Sequence, residues 1–145
     1  MNMVLADDVA NVQSDFYLMT HTTNPLLRAT TIRRAIGEYH RGVAAGQCDS
    51  LFSVNRIQTR LYRRNGTALN HDPKNLVRTQ DLEPWFEENS NLYLFSRPSF
   101  AATAARIGSK PLMFETPRIE SADIDDQAGW DMAETIARSP AYLGR

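Results

Sequence analysis

The chain has 145 residues, 42% of them hydrophobic and 23% charged, with a formal net charge of −1. That length suits a single domain, 1–145, with a real core, and the near-neutral balance excludes recruitment of nucleic acid or an anionic membrane by bulk charge. No apolar run is long enough to span a bilayer, residues 1–3 begin no basic and apolar signal sequence, and the lone Cys48 excludes an intramolecular disulfide, so a reducing cytoplasm is the expected location.

Residues 1–12 set Met3, Val4, Val9 and Val12 among acids and amides, the pattern of a short helix. Residues 15–20 are a compact apolar run and predict a buried strand. His21 to Arg28 is polar and contains Asn24-Pro25, a turn signal. Ile32, Ala35, Ile36 and Tyr39 then recur at helical spacing, with Thr30 or Thr31 as the expected cap and Gly42 as the expected end. Ser50 to Val54 predicts a second strand, and strand, helix, strand in that order predicts a βαβ unit in a parallel sheet.

From Asn55 to Gln80 the character changes. Arg56, Arg60, Arg63, Arg64, Lys74 and Arg78 are basic, and Asn65-Gly66 is the best hairpin signal in the chain. The flanking segments hold few apolar residues, so 55–80 is expected to protrude as a β-arm suited to dimer contact. Residues 91–95 predict a third strand, 98–106 a short helix and 111–115 a fourth strand. Residues 127–137 predict a closing helix with Trp130, Ala133, Ile136 and Ala137 inward, and the tail from Ser139 is expected to fray.

The chemistry centres on residues 120–126. If this stretch is extended, Asp123 and Asp125 project to one side and Ile124 to the other. Two carboxylates so placed suit Mg²⁺, which takes oxygen ligands and keeps waters that a phosphate can replace. The competing reading is that Asp125 or Asp126 caps the following helix. Ligands of open α/β sheets bind beyond the C-terminal ends of parallel strands, where the His21–Asn24 loop and the aspartate pair are both expected. Neither GxxxxGK[ST] nor GxGxxG occurs, so no phosphate-binding loop is recognisable. His21 suits a ligand contact or a structural hydrogen bond. His40 is expected at a helix end beside terminal carbonyls, and His71 on a surface turn. Cys48 reads as a small, partly buried residue rather than a nucleophile. The arm arginines read mainly as a solvated face, although Arg56, Arg60 or Arg63 can meet an acidic substrate bidentately. Arg60 represents them in the predicted site, and no catalytic residue is assigned.

Four segments together resemble one family. His21-Thr22-Thr23-Asn24-Pro25-Leu26 resembles the Q-x-T-S-P-L motif of the CMP-sugar cytidylyltransferases, the acylneuraminate and CMP-KDO synthetases. Residues 49–54, Asp-Ser-Leu-Phe-Ser-Val, resemble their D-S-x-F-S-V strand, and Asn89-Ser90-Asn91-Leu92-Tyr93 is similar to their N-G-x-x-Y segment. Asp123-Ile124-Asp125 falls where the family has its metal-binding D-I-D. The resemblance implies a Rossmann-like nucleotide-diphospho-sugar transferase fold with a mixed, mostly parallel sheet. It implies Mg²⁺-dependent transfer of CMP from CTP to a 2-keto sugar acid such as a sialic acid. Asp123 and Asp125 would hold the metal, and His21, Thr23, Asn24 and Tyr93 would line the sugar site. A homodimer would form through the arm, from which an arginine such as Arg60 could reach the sugar carboxylate. The family's N-terminal P-A-R-x-G-S-K loop has no counterpart here. The chain therefore looks like the C-terminal portion of such an enzyme, truncated and expected to be inactive alone. The alternative is a non-catalytic remnant serving as a dimerisation or interaction module.

Overall fold

The computed structural model describes residues 2–143. In chain order the elements are α1 (Asn2–Asn11), β1 (Tyr17–Thr20), α2 (Ala29–Ala44), β2 (Ser50–Ile57), β3 (Trp85–Phe95), α3 (Arg97–Thr103), β4 (Pro111–Glu115), α4 (Gln127–Ala137) and α5 (Pro140–Leu143). The α/β class is as expected, and the predicted limits of β4 and α4 agree with the structure residue for residue.

The sheet is open and runs β1-β3-β2-β4. β3 is antiparallel to both β1 and β2, whereas β2 and β4 are parallel. This corrects the expectation of a mostly parallel sheet, since antiparallel pairings predominate. The reason lies in the arm. It returns the chain to the end of the sheet where β2 finished, so the next strand must run back along its neighbour; a parallel pairing needs a crossover instead. β3 thereby enters between β1 and β2, which are linked through α2 but not paired.

The run Leu92-Tyr93-Leu94-Phe95 on β3 is buried on both faces. Successive side chains of a strand point to opposite faces, so the fold must supply two covers. Ala35 and Tyr39 of α2, with half-buried Ile32 and Ile36, cover Leu51, Leu92, Leu94 and Phe114. Leu5 and Val9 of α1 and Phe100 of α3 cover Tyr93 and Phe95. Each buried leucine is worth about 2 kcal/mol by area.

Several local expectations are corrected. Arg28, not Thr30 or Thr31, is the N-cap of α2 and makes no side-chain cap. The buried Glu120 carboxylate instead accepts from the Arg28 backbone N–H at 3.1 Å, which suits a helix N-terminus. Gly42 lies inside α2, where a Cβ would come 2.5 Å from the Cys48 Sγ. The helix ends at Ala44, and Gly46 follows with φ +64°. His40 is on α2 with its ring perpendicular to that of Phe16, centroids 4.8 Å apart, rather than at the helix end. α4 buries Ala133, while Trp130 remains 54% exposed. The tail is docked through Tyr142, which donates to the Leu26 carbonyl at 2.9 Å and has the Arg28 guanidinium 4.1 Å over its ring. Residues 144 and 145, also in the tail expected to fray, lie outside the described residues.

Neither core cluster includes a residue of 55–80. Its hairpin is minimal, a Tyr62–Ala68 bridge with Gly66 at φ +80°. His71 pairs with the Tyr62 hydroxyl at 2.9 Å, and Leu76 is 80% exposed. No helix among the described residues is long and apolar enough to cross a membrane.

Candidate functional site

The loop after β1 and the segment after β4 meet at one end of the sheet. The Ile124 N–H donates to the Thr23 carbonyl at 2.9 Å, and the Asn24 amide approaches the Ala122 carbonyl at 3.4 Å. Asn24 is buried and its Oδ1 has no protein partner among the described residues. Thr23 is exposed. The loops expected to converge are therefore in contact.

Asp123 and Asp125 are not on a strand. β4 gives way to a 3₁₀ turn, Arg118–Ser121, and then to irregular backbone, so strand alternation does not pair them. Asp126 caps α4, accepting from the Gly129 N–H at 2.8 Å. A Cβ at Gly129 would lie 2.9 Å from the Asp123 carbonyl oxygen, so glycine lets the first turn of α4 close on the loop. The cap thus uses Asp126 alone. Asp123 and Asp125 are exposed and have no hydrogen-bond or ion-pair partner among the described residues.

Asp123 borders a cleft of about 200 Å³ shared with Asn55, Glu87, Glu88, Asn89, Ser90 and Ser121. Asn89 forms its floor. Its amide nitrogen lies 2.9 Å from the Asn55 Oδ1, 2.7 Å from the Thr116 hydroxyl and 3.0 Å from the Ser121 hydroxyl. Opposite this point β2 and β3 lose register between Phe52 and Val54. The extra residues of β3 include Ser90, at φ +57°. That left-handed conformation costs a non-glycine residue about 1 kcal/mol. Ser90→Gly is expected to raise stability by about 0.5 kcal/mol, the strain relieved being partly offset by glycine's greater chain entropy. Urea unfolding checks this, and a loss of stability would mean that the Ser90 hydroxyl, 3.2 Å from the Tyr93 oxygen, outweighs the backbone.

Beside the cleft lies a cluster that sequence reasoning found only in part. The buried Tyr93 donates its hydroxyl to the Glu88 carboxylate. Arg106 lies 3.8 Å over the Tyr93 ring, with Nη2 3.3 Å from the same Glu88 oxygen and Nη1 3.3 Å from the His21 Nε2. His21 itself faces Tyr93, with ring centroids 6.3 Å apart. Burial pushes the Tyr93 phenol up to about 12, and the hydrogen bond to Glu88 pushes the same way. Arg106 was expected only as the end of a short helix. No sequence signal pairs it with Tyr93; that contact comes from the fold.

Arg60 remains within the arm, donating from Nη2 to the Val77 carbonyl at 2.6 Å. A larger hollow of about 370 Å³ lies at the other end of the sheet, lined by Phe16, Tyr39, His40, Cys48 and Ser96 among others. Burial pushes its Cys48 thiol up, which makes it a poor nucleophile.

No known family model and no curated protein matches this chain.

Among the described residues no three His, Cys, Asp or Glu side chains gather to hold a metal. Asp123 and Asp125 nevertheless have the donor chemistry for Mg²⁺, which binds through one or two carboxylates with waters and substrate phosphates. A metal held by these two residues would be shared with a substrate polyphosphate rather than caged by protein.

Proposed function

We propose that the protein is a Mg²⁺-dependent cytidylyltransferase, or the sugar- and metal-binding part of one, joining CMP from CTP to a 2-keto sugar acid. The observation that carries the reading is that the His21–Tyr93 pair adjoins, through Glu88 and Ser90, the cleft that Asp123 borders. His21 faces Tyr93, and Tyr93 touches Glu88 and Ser90, which share the cleft with Asp123. A second support is Ser90, whose positive φ falls at the glycine position of the N-G-x-x-Y pattern it resembles. The fold belongs to the same proposal. β1, β2 and β4 share one direction, and the cleft adjoins segments that follow β1 and β4, as in a Rossmann-like nucleotide-diphospho-sugar transferase.

In this reading the sugar's anomeric hydroxyl attacks the α-phosphorus, a new P–O bond forms and pyrophosphate leaves. Mg²⁺ supplies neutralisation of charge on the triphosphate when bound. Asp123 and Asp125 would hold the ion, on a segment that touches the loop carrying His21, Thr23 and Asn24. The Arg106–Tyr93 stack gives the sugar side of the cleft a fixed cation. With no glycine-rich phosphate cradle in its sequence, the chain alone is expected to bind CTP weakly and to turn over nothing.

The test uses Mn²⁺ as a paramagnetic substitute for Mg²⁺. With CTP present, amide resonances of residues 21–24 and 120–126 should broaden, and less so with UTP. Asp123→Asn with Asp125→Asn should weaken this at least about tenfold, the loss of two charged oxygen ligands. Broadening elsewhere, or unchanged in the double variant, would sink the reading. The exposed Leu76, Leu69 and Tyr62 of the arm favour a second reading, a homodimerising module without catalysis. A stable dimer that ignores both Mn²⁺ and CTP would select it.

A further inference from the structure

The Glu88 carboxylate occupies a position built for an anion. One oxygen, Oε1, accepts from both the Tyr93 hydroxyl and the Arg106 Nη2. Both donors are fixed. Tyr93 is fully buried, and Arg106 is clamped over its ring with the far end of the guanidinium against His21. The side chain of Arg106 is 21% exposed, whereas that of Glu88 is 41% exposed and lies on the cleft wall. The fixed partner is thus the receptor, and the more exposed partner is the replaceable one. We propose that Arg106 and Tyr93 form a carboxylate-binding pair which Glu88 fills in the free protein, so that an acidic ligand enters the cleft by exchanging its carboxylate for that of Glu88.

The energetics allow exchange. A partly exposed ion pair contributes little, and Glu88 uses one oxygen where an incoming carboxylate can present two to a guanidinium. Because Arg106 is already oriented, a ligand gains the contact with little further ordering of the protein. Glu87 and Asp123 also face the cleft, so a carboxylate entering without displacing Glu88 would add a further negative charge to an acidic wall. The inference deepens the reading of the site as one for a sugar acid and rests on it for the ligand class.

The probe is N-acetylneuraminate, with its methyl ester as the uncharged control, titrated by NMR against the full chain with labelled tyrosine. Glu88→Gln should bind the acid about five- to tenfold more tightly than the natural protein, because the internal competitor is weakened. Glu87→Gln removes the same charge from the same cleft without freeing the pair, and should change affinity less than about twofold at moderate salt. Arg106→Lys keeps the charge, loses the planar fork and should lose most of the binding. Saturation should move the Tyr93 ring resonances, and the ester should not. Equal gains in Glu88→Gln and Glu87→Gln would overturn the proposal, as would no binding by either the natural protein or Glu88→Gln. Acid binding that depends on Glu88, with Mn²⁺–CTP broadening unchanged in the Asp123 and Asp125 double variant, would keep this inference and remove the metal-dependent transferase. Mn²⁺–CTP binding with acid affinity independent of Glu88 would do the reverse.

Discussion

Asn89→Ala is expected to lower the unfolding free energy by about 2–3 kcal/mol and to deform the cleft. Its amide carries two N–H donors and faces three acceptors, on Asn55, Thr116 and Ser121. At any moment it satisfies two of them, while its Oδ1 accepts from the Asn91 backbone N–H at 3.3 Å. These partners come from β2, the end of β4, the 3₁₀ turn and β3 itself, so one side chain joins four segments. Alanine leaves the buried Thr116 with only weaker partners. The Ser121 hydroxyl at 3.1 Å and the Asn91 amide at 3.4 Å compensate in part, which keeps the expected cost below that of a wholly orphaned network. The check is urea unfolding beside Asn55→Ala, whose side chain is half exposed at the rim and whose loss should cost less than about 1 kcal/mol. Equal small losses in both would mean that water already fills this floor.

The same network explains why the site was only partly legible in the sequence. The elements were readable because they depend on local pattern. Pro111 to Glu115 and Gln127 to Ala137 have clear bounds, the latter set by the Asp126 cap. Strand order was not readable, because Leu92-Tyr93-Leu94-Phe95 is apolar on both faces and would suit a parallel or an antiparallel place equally. The arm held the missing information. Its minimal hairpin reads as a protrusion, but its consequence, the return of β3 alongside β2, appears only when both strands are placed. Asp123 and Asp125 were expected to share a face through strand alternation, yet they stand on irregular backbone after a 3₁₀ turn. Among the described residues they have no protein partner, since Asp126 takes the cap. Arg106 illustrates the other limit. A guanidinium over a tyrosine ring is a contact between distant segments, and neither residue's neighbours in sequence announce it.

The largest single loss is expected at Leu94→Ala, about 3–4 kcal/mol, with a fall in Tm on the order of 10 °C. Leu94 is fully buried in β3, paired with Leu18 on one side and Leu51 on the other. Ala35 and Tyr39 of α2 belong to the same core cluster. The backbone on either side is held by ladder hydrogen bonds, so the structure cannot collapse into the space, and the cavity persists. Leu18 makes the useful comparison, since it lies directly opposite in the same row but on an edge strand, where it is 39% exposed. Leu18→Ala deletes the same atoms and should cost about 1 kcal/mol or less. Urea unfolding should give this difference at unchanged slope, because neither change alters how much surface unfolding exposes. Similar losses at the two positions would mean that β1 is as enclosed as β3, and that the open edge beside it is covered in the protein as it exists in solution.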